Sequence, residues 1–301
     1  MSGFAFLVNP ASGGGAAPAA VVPVARLLRD AGAEVEVTYS PGPHATHDLV
    51  ADAVARGATV VSVGGDGMLS SVVGEVARAG GTLGIVPAGR GNDFARMLGL
   101  PSDAAGQADV LLSGHCRSVD LVALGDRLLA GSVYAGVDAR AAALVDRLHR
   151  LPPRVQYPYA AVRSLATYRS ARYRVAVDGE VLEVTAATVV VANSGYYGKG
   201  MRIAPGAALD DGLLDVVVIG AASRRDLVRS LPRVYDGGHV ALPQVTVLRG
   251  RRVELSADAP TPVPAGGDGE PLGELPGLGE APWVVEVCPG AVPVLAPPAA
   301  G

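Results

Sequence analysis

The stretch Thr59-Val60-Val61-Ser62-Val63-Gly64-Gly65-Asp66-Gly67-Met68-Leu69-Ser70 changes character in mid-run. Residues 59–63, rich in β-branched side chains, read as a strand buried on both faces, as parallel strands are. Two glycines stop it, and a helical pattern over 70–79 follows. Glycine lets the backbone come close to an anion, and a helix N-terminus adds unpaired N–H donors and a favourable dipole. Asp66 would repel a phosphate directly but suits Mg²⁺ or a hydroxyl nucleophile. By itself, Gly64–Gly67 reads equally well as a tight turn with Asp66 capping the helix.

The same grammar extends to either side. Upstream, strand 4–8 ends at Asn9-Pro10 and runs into Ala11-Ser12-Gly13-Gly14-Gly15. A helix over 19–31 closed by Gly32, a strand over 34–38 and a helix over 48–55 closed by Gly57 follow. Downstream, strand 82–86 leads into Pro87-Ala88-Gly89-Arg90-Gly91-Asn92-Asp93-Phe94-Ala95-Arg96, which opens a helix over 92–98 that Asn92 or Asp93 could cap. The order β-α-β-α-β-α-β-α predicts a parallel sheet with helices on both faces. Three glycine-rich strand ends would then share the carboxyl edge, where open α/β sheets bind ligands. The 9–15 segment fits neither the Walker A pattern nor GxGxxG.

After about residue 120 the pattern becomes strand-rich, with runs at 120–124, 127–134, 173–177, 180–191, 213–219, 245–248 and 252–256 and helices only at 138–150, 158–170 and 223–235. The fold class expected is α/β, a parallel α/β domain (1–122) followed by a mainly antiparallel β domain (123–288). Residues 257–282, full of Pro, Gly and acids, read as a long, partly mobile loop. A last strand is expected at 283–287, and the apolar, Pro-rich tail 289–301 is expected to pack back on the first domain.

Composition narrows the function classes. The chain has 301 residues and a net charge of −4, which supplies no global basic field for nucleic acid. Aromatics are 4% of residues, so the cores must be built from Val, Leu and Ala. Cys116 and Cys288 fit no metal spacing and form no disulfide framework, which makes a reducing cytosol the default. The N-terminus has no basic region, and no apolar run approaches the roughly 18 residues that span a bilayer. The expectation is a cytoplasmic protein, soluble or peripheral on the inner face of the membrane. His44 and His47 have metal-like spacing but no third ligand nearby, so a solvated helix start is the simpler reading. Residues 140–174 carry eight arginines (140, 147, 150, 154, 163, 169, 172, 174) against the single acid Asp146, interleaved with apolar side chains. This reads as a solvated face or as a surface that docks on anionic lipid.

Taken together, Asn9-Pro10-x-Ser12-Gly13, Gly64-Gly65-Asp66-Gly67 and Gly89-x-Gly91-Asn92-Asp93-Phe94-Ala95-Arg96 resemble the catalytic domain of the diacylglycerol and sphingosine kinase family, especially its bacterial lipid kinases. The likeness continues through Ala135-Gly136-Val137-Asp138-Ala139, Gly198-Lys199-Gly200-Met201-Arg202-Ile203-Ala204-Pro205, Asp210-Asp211-Gly212-Leu213-Leu214-Asp215 and Asp268-Gly269-Glu270, and so covers nearly the whole chain. The resemblance implies a phosphofructokinase-like nucleotide domain and a C-terminal β-sandwich, with ATP between them. It implies transfer of the γ-phosphate to a lipid hydroxyl, most simply that of diacylglycerol.

By the same resemblance, Asn9, Pro10, Ser12 and Gly13 contact the nucleotide. Gly64, Gly65, Asp66, Gly67, Met68, Leu69 and Ser70 hold its phosphates, joined by Gly89, Arg90, Asn92 and Asp93. Ser40 or Thr38 supplies a hydroxyl, and Asp66 faces Mg²⁺ or the reacting groups. Glu270, or else Asp268, is implied as the base that takes the proton from the lipid hydroxyl. Asp211, with the carbonyls of Leu213 and Ala208 and with help from Asp215, is implied as a structural Mg²⁺ site.

The sequence departs from the family pattern in three ways. Met68 and Arg90 stand where a Thr is usual, and Ala16 and Ala17 stand where relatives carry a basic residue. An arginine at 90 can bind phosphate bidentately. Rival readings are a related kinase with NAD or a sphingoid acceptor, and a nucleotide-binding regulatory protein without turnover. Oligomeric state leaves no trace in the sequence, and a homodimer stays open.

Overall fold

The structure is a computed structural model describing residues 3–40, 42, 45–145, 148, 153–167 and 169–298. The chain divides into two compact units, residues 1–121 with 289–301, and residues 122–288.

In the first unit, β1 (Gly3–Val8), β2 (Glu34–Tyr39), β3 (Thr59–Gly64) and β4 (Leu83–Pro87) form a parallel sheet in the order β2-β1-β3-β4. Val294, from the tail, pairs in parallel with Leu83. Helices α1 (Ala17–Asp30), α2 (Thr46–Ala55), α3 (Asp66–Ala79), α4 (Asp93–Met97) and α5 (Ala104–Ser113) complete the unit. β1 is buried at every position from Phe4 to Val8, the pattern of a central parallel strand. Phe4, Phe6 and Val8 pack with Val21, Val24 and Leu28 of α1 and Leu111 of α5.

Two boundaries correct the expectation. α3 begins at Asp66, not near residue 70, because Met68 and Leu69 are buried and extend the apolar face back to its first turn. Helix α5 was not anticipated. Its signals were present, since the Asp103 carboxylate accepts from the Gly106 N–H at 2.9 Å and Gly114 closes the helix at φ 65°.

The second unit is antiparallel. Its strands are the end of β5 (Cys116–Leu124), β6 (Arg127–Leu129), β7 (Ser132–Gly136), β8 (Ala171–Val177), β9 (Glu180–Ala192), β10 (Leu214–Gly220), β11 (Val245–Gly250), β12 (Arg252–Asp258), β13 (Pro264–Gly267), β14 (Glu270–Glu274) and the start of β15 (Trp283–Leu295). Their order is β14-β13-β7-β9-β8-β12-β15, with β10 also beside β9 and β11 beyond it. β9 changes partners midway: residues 180–186 pair with β8, and 188–192 pair with both β7 and β10. This lets one strand serve two layers. Along it Val189 and Val191 join one apolar cluster while Val190 and Ala192 join another, the period-two alternation of a strand covered on both faces. The helices are α6 (Val137–Val145), α7 (Pro153–Thr167) and α8 (Arg224–Asp236).

The expected loop over 257–282 is instead largely ordered structure. β13 and β14 form a hairpin whose turn is Asp268-Gly269, at φ 49° and 92°. Such a turn requires left-handed backbone at both positions. β13 pairs with β7, where Gly266 lies opposite Tyr134, and a Cβ on Gly266 would sit 2.7 Å from the tyrosine ring. Small residues are thus demanded by a partner strand far away, which leaves no hydrophobic period in the local sequence. The expected strand over 127–134 is likewise broken, at Ala130-Gly131.

Candidate functional site

Three loops leave the carboxyl ends of β1, β3 and β4 and touch one another. In the first, the Asn9 carboxamide oxygen accepts from the Ala11 N–H at 2.9 Å, and Gly13, Gly14 and Gly15 all have positive φ. A Cβ on Gly13 would lie 2.3 Å from the Ala88 carbonyl oxygen of the third loop. A Cβ on Gly64 would lie 2.9 Å from Ser12 Oγ, and one on Gly89 would lie 2.3 Å from the Cα of Gly65. The glycines are therefore needed so that the loops can meet. Gly89→Ala is expected to force Gly65 and Gly89 apart, lower stability by about 1–3 kcal/mol as overpacking does, and disorder the shared edge. Urea denaturation would measure the first effect, and a midpoint equal to that of the parent chain would refute it.

The N-terminus of the 14-residue α3 opens at this edge, with Asp66 as its first residue. One Asp66 oxygen accepts from the Phe94 N–H at 3.3 Å, tying α3 to α4. Asp66 is thus the first helical residue and does not cap; Gly65 holds the N-cap position. The backbone N–H groups of the first helical turn have no intrahelical acceptor. With a carboxylate as a hard oxygen donor beside them, they fit a polyphosphate that carries its own divalent ion.

Several side chains expected at a ligand are otherwise engaged. The Asn92 carboxamide accepts from Gly89 N–H at 2.9 Å and donates to the Gly89 carbonyl at 3.1 Å, with its own backbone left-handed at φ 53°. It shapes the loop and caps nothing. Asp93 is buried and ion-paired with Arg96 at 2.7 Å, and it does not cap α4. The Met68 and Leu69 side chains are buried in α3, leaving only their backbone for a ligand. Ser40 follows β2 with its N–H on the Val8 carbonyl, and its hydroxyl accepts from Gly42 N–H at 3.3 Å. Pro41 and Pro43 of that turn lie outside the described residues, as does His44. His47 Nδ1 lies 2.7 Å from Glu75 Oε2, and this hydrogen bond raises the pKa of the ring. Sequence spacing missed Glu75 because it comes from another helix.

The second unit holds a cluster around the Asp268-Gly269 turn. Asp268 does not stand free. Its carboxylate accepts from the N–H groups of Ala130, Gly131 and Ser132 at 2.8, 2.9 and 2.9 Å. Asn193 donates to the Ala130 carbonyl at 3.0 Å, and Gly269 N–H donates to Tyr134 Oη at 3.2 Å. Asp268 therefore anchors the hairpin to the β6–β7 break, which corrects the expectation of it as an alternative base. Glu270, the first residue of β14, is exposed, and its side chain has no hydrogen bond or ion pair among the described residues.

The Tyr134 ring centroid is 5.8 Å from that of Tyr197, whose hydroxyl meets the Asp138 carboxyl. Burial pushes the Asp138 carboxyl up, against the pull of the Thr188 and Tyr197 hydroxyls. Thr188 Oγ1 is within 2.8 Å of both the Ala135 carbonyl and the Asp138 carboxyl but has one hydrogen to give. Neither Thr188 nor Tyr197 was recognisable from spacing.

The implied structural Mg²⁺ set reads differently in three dimensions. One Asp211 oxygen accepts from the Leu213 N–H at 3.0 Å, and the other pairs with Arg249. Asp215 is buried and meets Arg249 Nε at 3.3 Å, with burial raising its pKa and Arg249 opposing. Among the described residues no three His, Cys, Asp or Glu side chains converge as metal ligands. The two carboxylates do not fit a divalent ion as arranged, because Arg249 already brings a cation to both. EDTA is expected to leave the melting temperature unchanged, whereas Arg249→Met should cost about 1–2 kcal/mol, discounted for partial exposure. A clear drop in melting temperature with EDTA would refute this.

With this geometry in hand, the chain can be compared with known proteins. Residues 3–124 match the family model of the diacylglycerol kinase catalytic domain, and residues 131–296 that of the YegS C-terminal NAD kinase beta sandwich-like domain. A diacylglycerol kinase of Mycobacterium tuberculosis strain H37Rv is 34% identical over 257 residues, covering 83% of each chain. A Pseudomonas aeruginosa protein called probable lipid kinase YegS-like is 31% identical over 250 residues, covering 81% of this chain and 80% of that one. The crystal structure of a diacylglycerol kinase from Bacillus anthracis aligns with a TM-score of 0.75 at 18% identity, over 99% of this chain and 97% of the other. That likeness shows the shared fold.

Proposed function

The chain belongs to the diacylglycerol kinase catalytic-domain family, and from that premise we propose that it transfers the γ-phosphate of ATP to a lipid hydroxyl, with diacylglycerol as acceptor and phosphatidic acid as product. The observation that carries this is the meeting of three glycine loops at the open N-terminus of α3, with the Asp66 carboxylate beside it. The first turn of α3 holds the phosphates through its open backbone N–H groups, the glycine loops leave room for them to approach, and Asp66 would supply a hard oxygen to the Mg²⁺ that the nucleotide brings. Glu270 takes the proton of the acceptor hydroxyl as its oxygen bonds to the γ-phosphorus. The bond from that phosphorus to the bridging β–γ oxygen breaks, and ADP leaves.

Radiolabelled ATP offered with diacylglycerol, sphingosine, ceramide and NAD in parallel tests this. Label in phosphatidic acid is the expected result. Label on NAD would overturn the lipid acceptor, and no product with any acceptor would overturn the kinase reading.

A lipid acceptor calls for a surface that meets the bilayer. Among the described residues no helix is long and apolar enough to cross a membrane. α7 buries Ala160 and Leu165 yet leaves Val155, Tyr159 and Val162 exposed on successive turns, with Arg163 donating to Tyr159 Oη at 3.0 Å. Arg147, Arg150 and the side chain of Arg154 lie outside the described residues. Apolar side chains flanked by arginine suit a peripheral contact with an anionic inner leaflet, where each cation adds about 1 kcal/mol. The protein is expected to co-sediment with anionic vesicles more than with neutral ones; equal binding would sink this surface.

A further inference from the structure

Every arginine of the first unit but one has a partner. Arg26 pairs with Asp30, Arg56 with Asp52 and Glu36, Arg78 with Glu75, and Arg96 with Asp93, while Arg29 donates to the Val35 carbonyl. Arg117 also has a contact. Arg90 has none among the described residues, and it is exposed. This unit contains no lysine, since Lys199 is the chain's only one and lies in the other unit.

The position of Arg90 gives the unpaired charge meaning. It sits in the loop after β4, two residues before Asn92, and its Nη2 is 3.1 Å from where a Cβ on Gly14 would lie. The guanidinium thus reaches across to the glycine loop after β1. That loop has little charge compensation of its own: the N–H groups of Gly14, Gly15 and Ala16 are spent on carbonyls of Ala11 and Ser12, and Ala16 and Ala17 carry no charge. Asp66 adds a negative charge to the same edge. A polyphosphate held there by backbone donors alone would leave most of its charge uncompensated.

We infer that Arg90 is the phosphate clamp of this edge, binding the nucleotide's polyphosphate bidentately and supplying the cation that the glycine loop lacks. This rests on the nucleotide reading proposed above and assigns one residue within it. A guanidinium suits the task because its planar fork matches two phosphate oxygens, whereas an ammonium acts as a point charge. The substituted side chain is exposed, so its removal spares the core.

The test is calorimetric binding of MgATP, inorganic tripolyphosphate and adenosine to the full chain, its Arg90→Ala variant and its Arg90→Lys variant. The expected result is an increase in Kd of about 10- to 100-fold for MgATP and tripolyphosphate in Arg90→Ala, the range of a charged hydrogen-bond pair. Adenosine should bind all three proteins alike, and Arg90→Lys should recover only part of the loss. Tripolyphosphate binding unchanged in Arg90→Ala, with the parent chain binding both phosphates, would overturn the clamp and leave the nucleotide reading standing. A parent chain that bound neither MgATP nor tripolyphosphate would overturn the nucleotide reading and the clamp with it.

Discussion

Glu270→Gln is expected to lower kcat by about 10²- to 10⁴-fold, the usual contribution of a general base, without moving the melting temperature. The side chain is exposed and has no partner among the described residues, so an isosteric amide removes a proton acceptor and no structural contact. Asp268→Ala, two residues earlier, should behave in the opposite way. It strips three backbone N–H groups of their acceptor at once, and it places alanine at φ 49°, which Asp tolerates better. Each orphaned donor costs about 1–3 kcal/mol, so a loss of about 3 kcal/mol or more is expected. In a unit of this size that is a fall of roughly 6–12 °C in melting temperature. Steady-state kinetics beside differential scanning calorimetry separates the two variants. A Glu270→Gln protein with full kcat would remove Glu270 from the chemistry, and an Asp268→Ala protein that melts with the parent would remove Asp268 as the anchor.

Asp66→Asn is expected to reduce turnover by at least about 10²- to 10³-fold, the scale of losing one pre-organised electrostatic group. The fold should survive, because an Asn oxygen can still accept the Phe94 N–H that Asp66 Oδ1 accepts at 3.3 Å. The change removes only the charge that the proposed function directs at the nucleotide's Mg²⁺. The loss should appear in kcat and in the Mg²⁺ concentration needed for half-maximal rate, with unchanged circular dichroism. Turnover equal to that of the parent would place the metal-facing carboxylate elsewhere.

The two clusters differ in how far the sequence announced them. Thr59–Val63 running into Gly64 is a local event, since a buried parallel strand and its glycine stop are written in consecutive residues. The same holds for the loops at 9–15 and 87–93. The β13–β14 hairpin is different. Ala265-Gly266-Gly267 carries no hydrophobic alternation, because what it must accommodate is the Tyr134 ring on β7. Asp268 reads locally as one more turn residue, yet its acceptors are spoken for by amides 136 to 138 positions earlier. Arg249 likewise stands 34 and 38 positions from the two acids that it joins.

The sequence by itself determined the class of fold and that three glycine-rich strand ends share one edge of the parallel sheet. Strand and helix periods, and the glycines that end strands, are set by neighbours within a turn or two, and the chain states them in order. Only the tertiary structure decided which polar side chains are free. Asp268 shares its chemistry with Asp66 and Glu270, but its lone pairs are consumed by amides that folding brings to it from the β6–β7 break. Arg90 stands out in the sequence by its place in the third glycine loop, but only the fold leaves it without a partner among the described residues while the other arginines of its unit are engaged. Whether a polar group is available depends on which distant donors and acceptors packing sets within about 3 Å of it, and no local pattern records that.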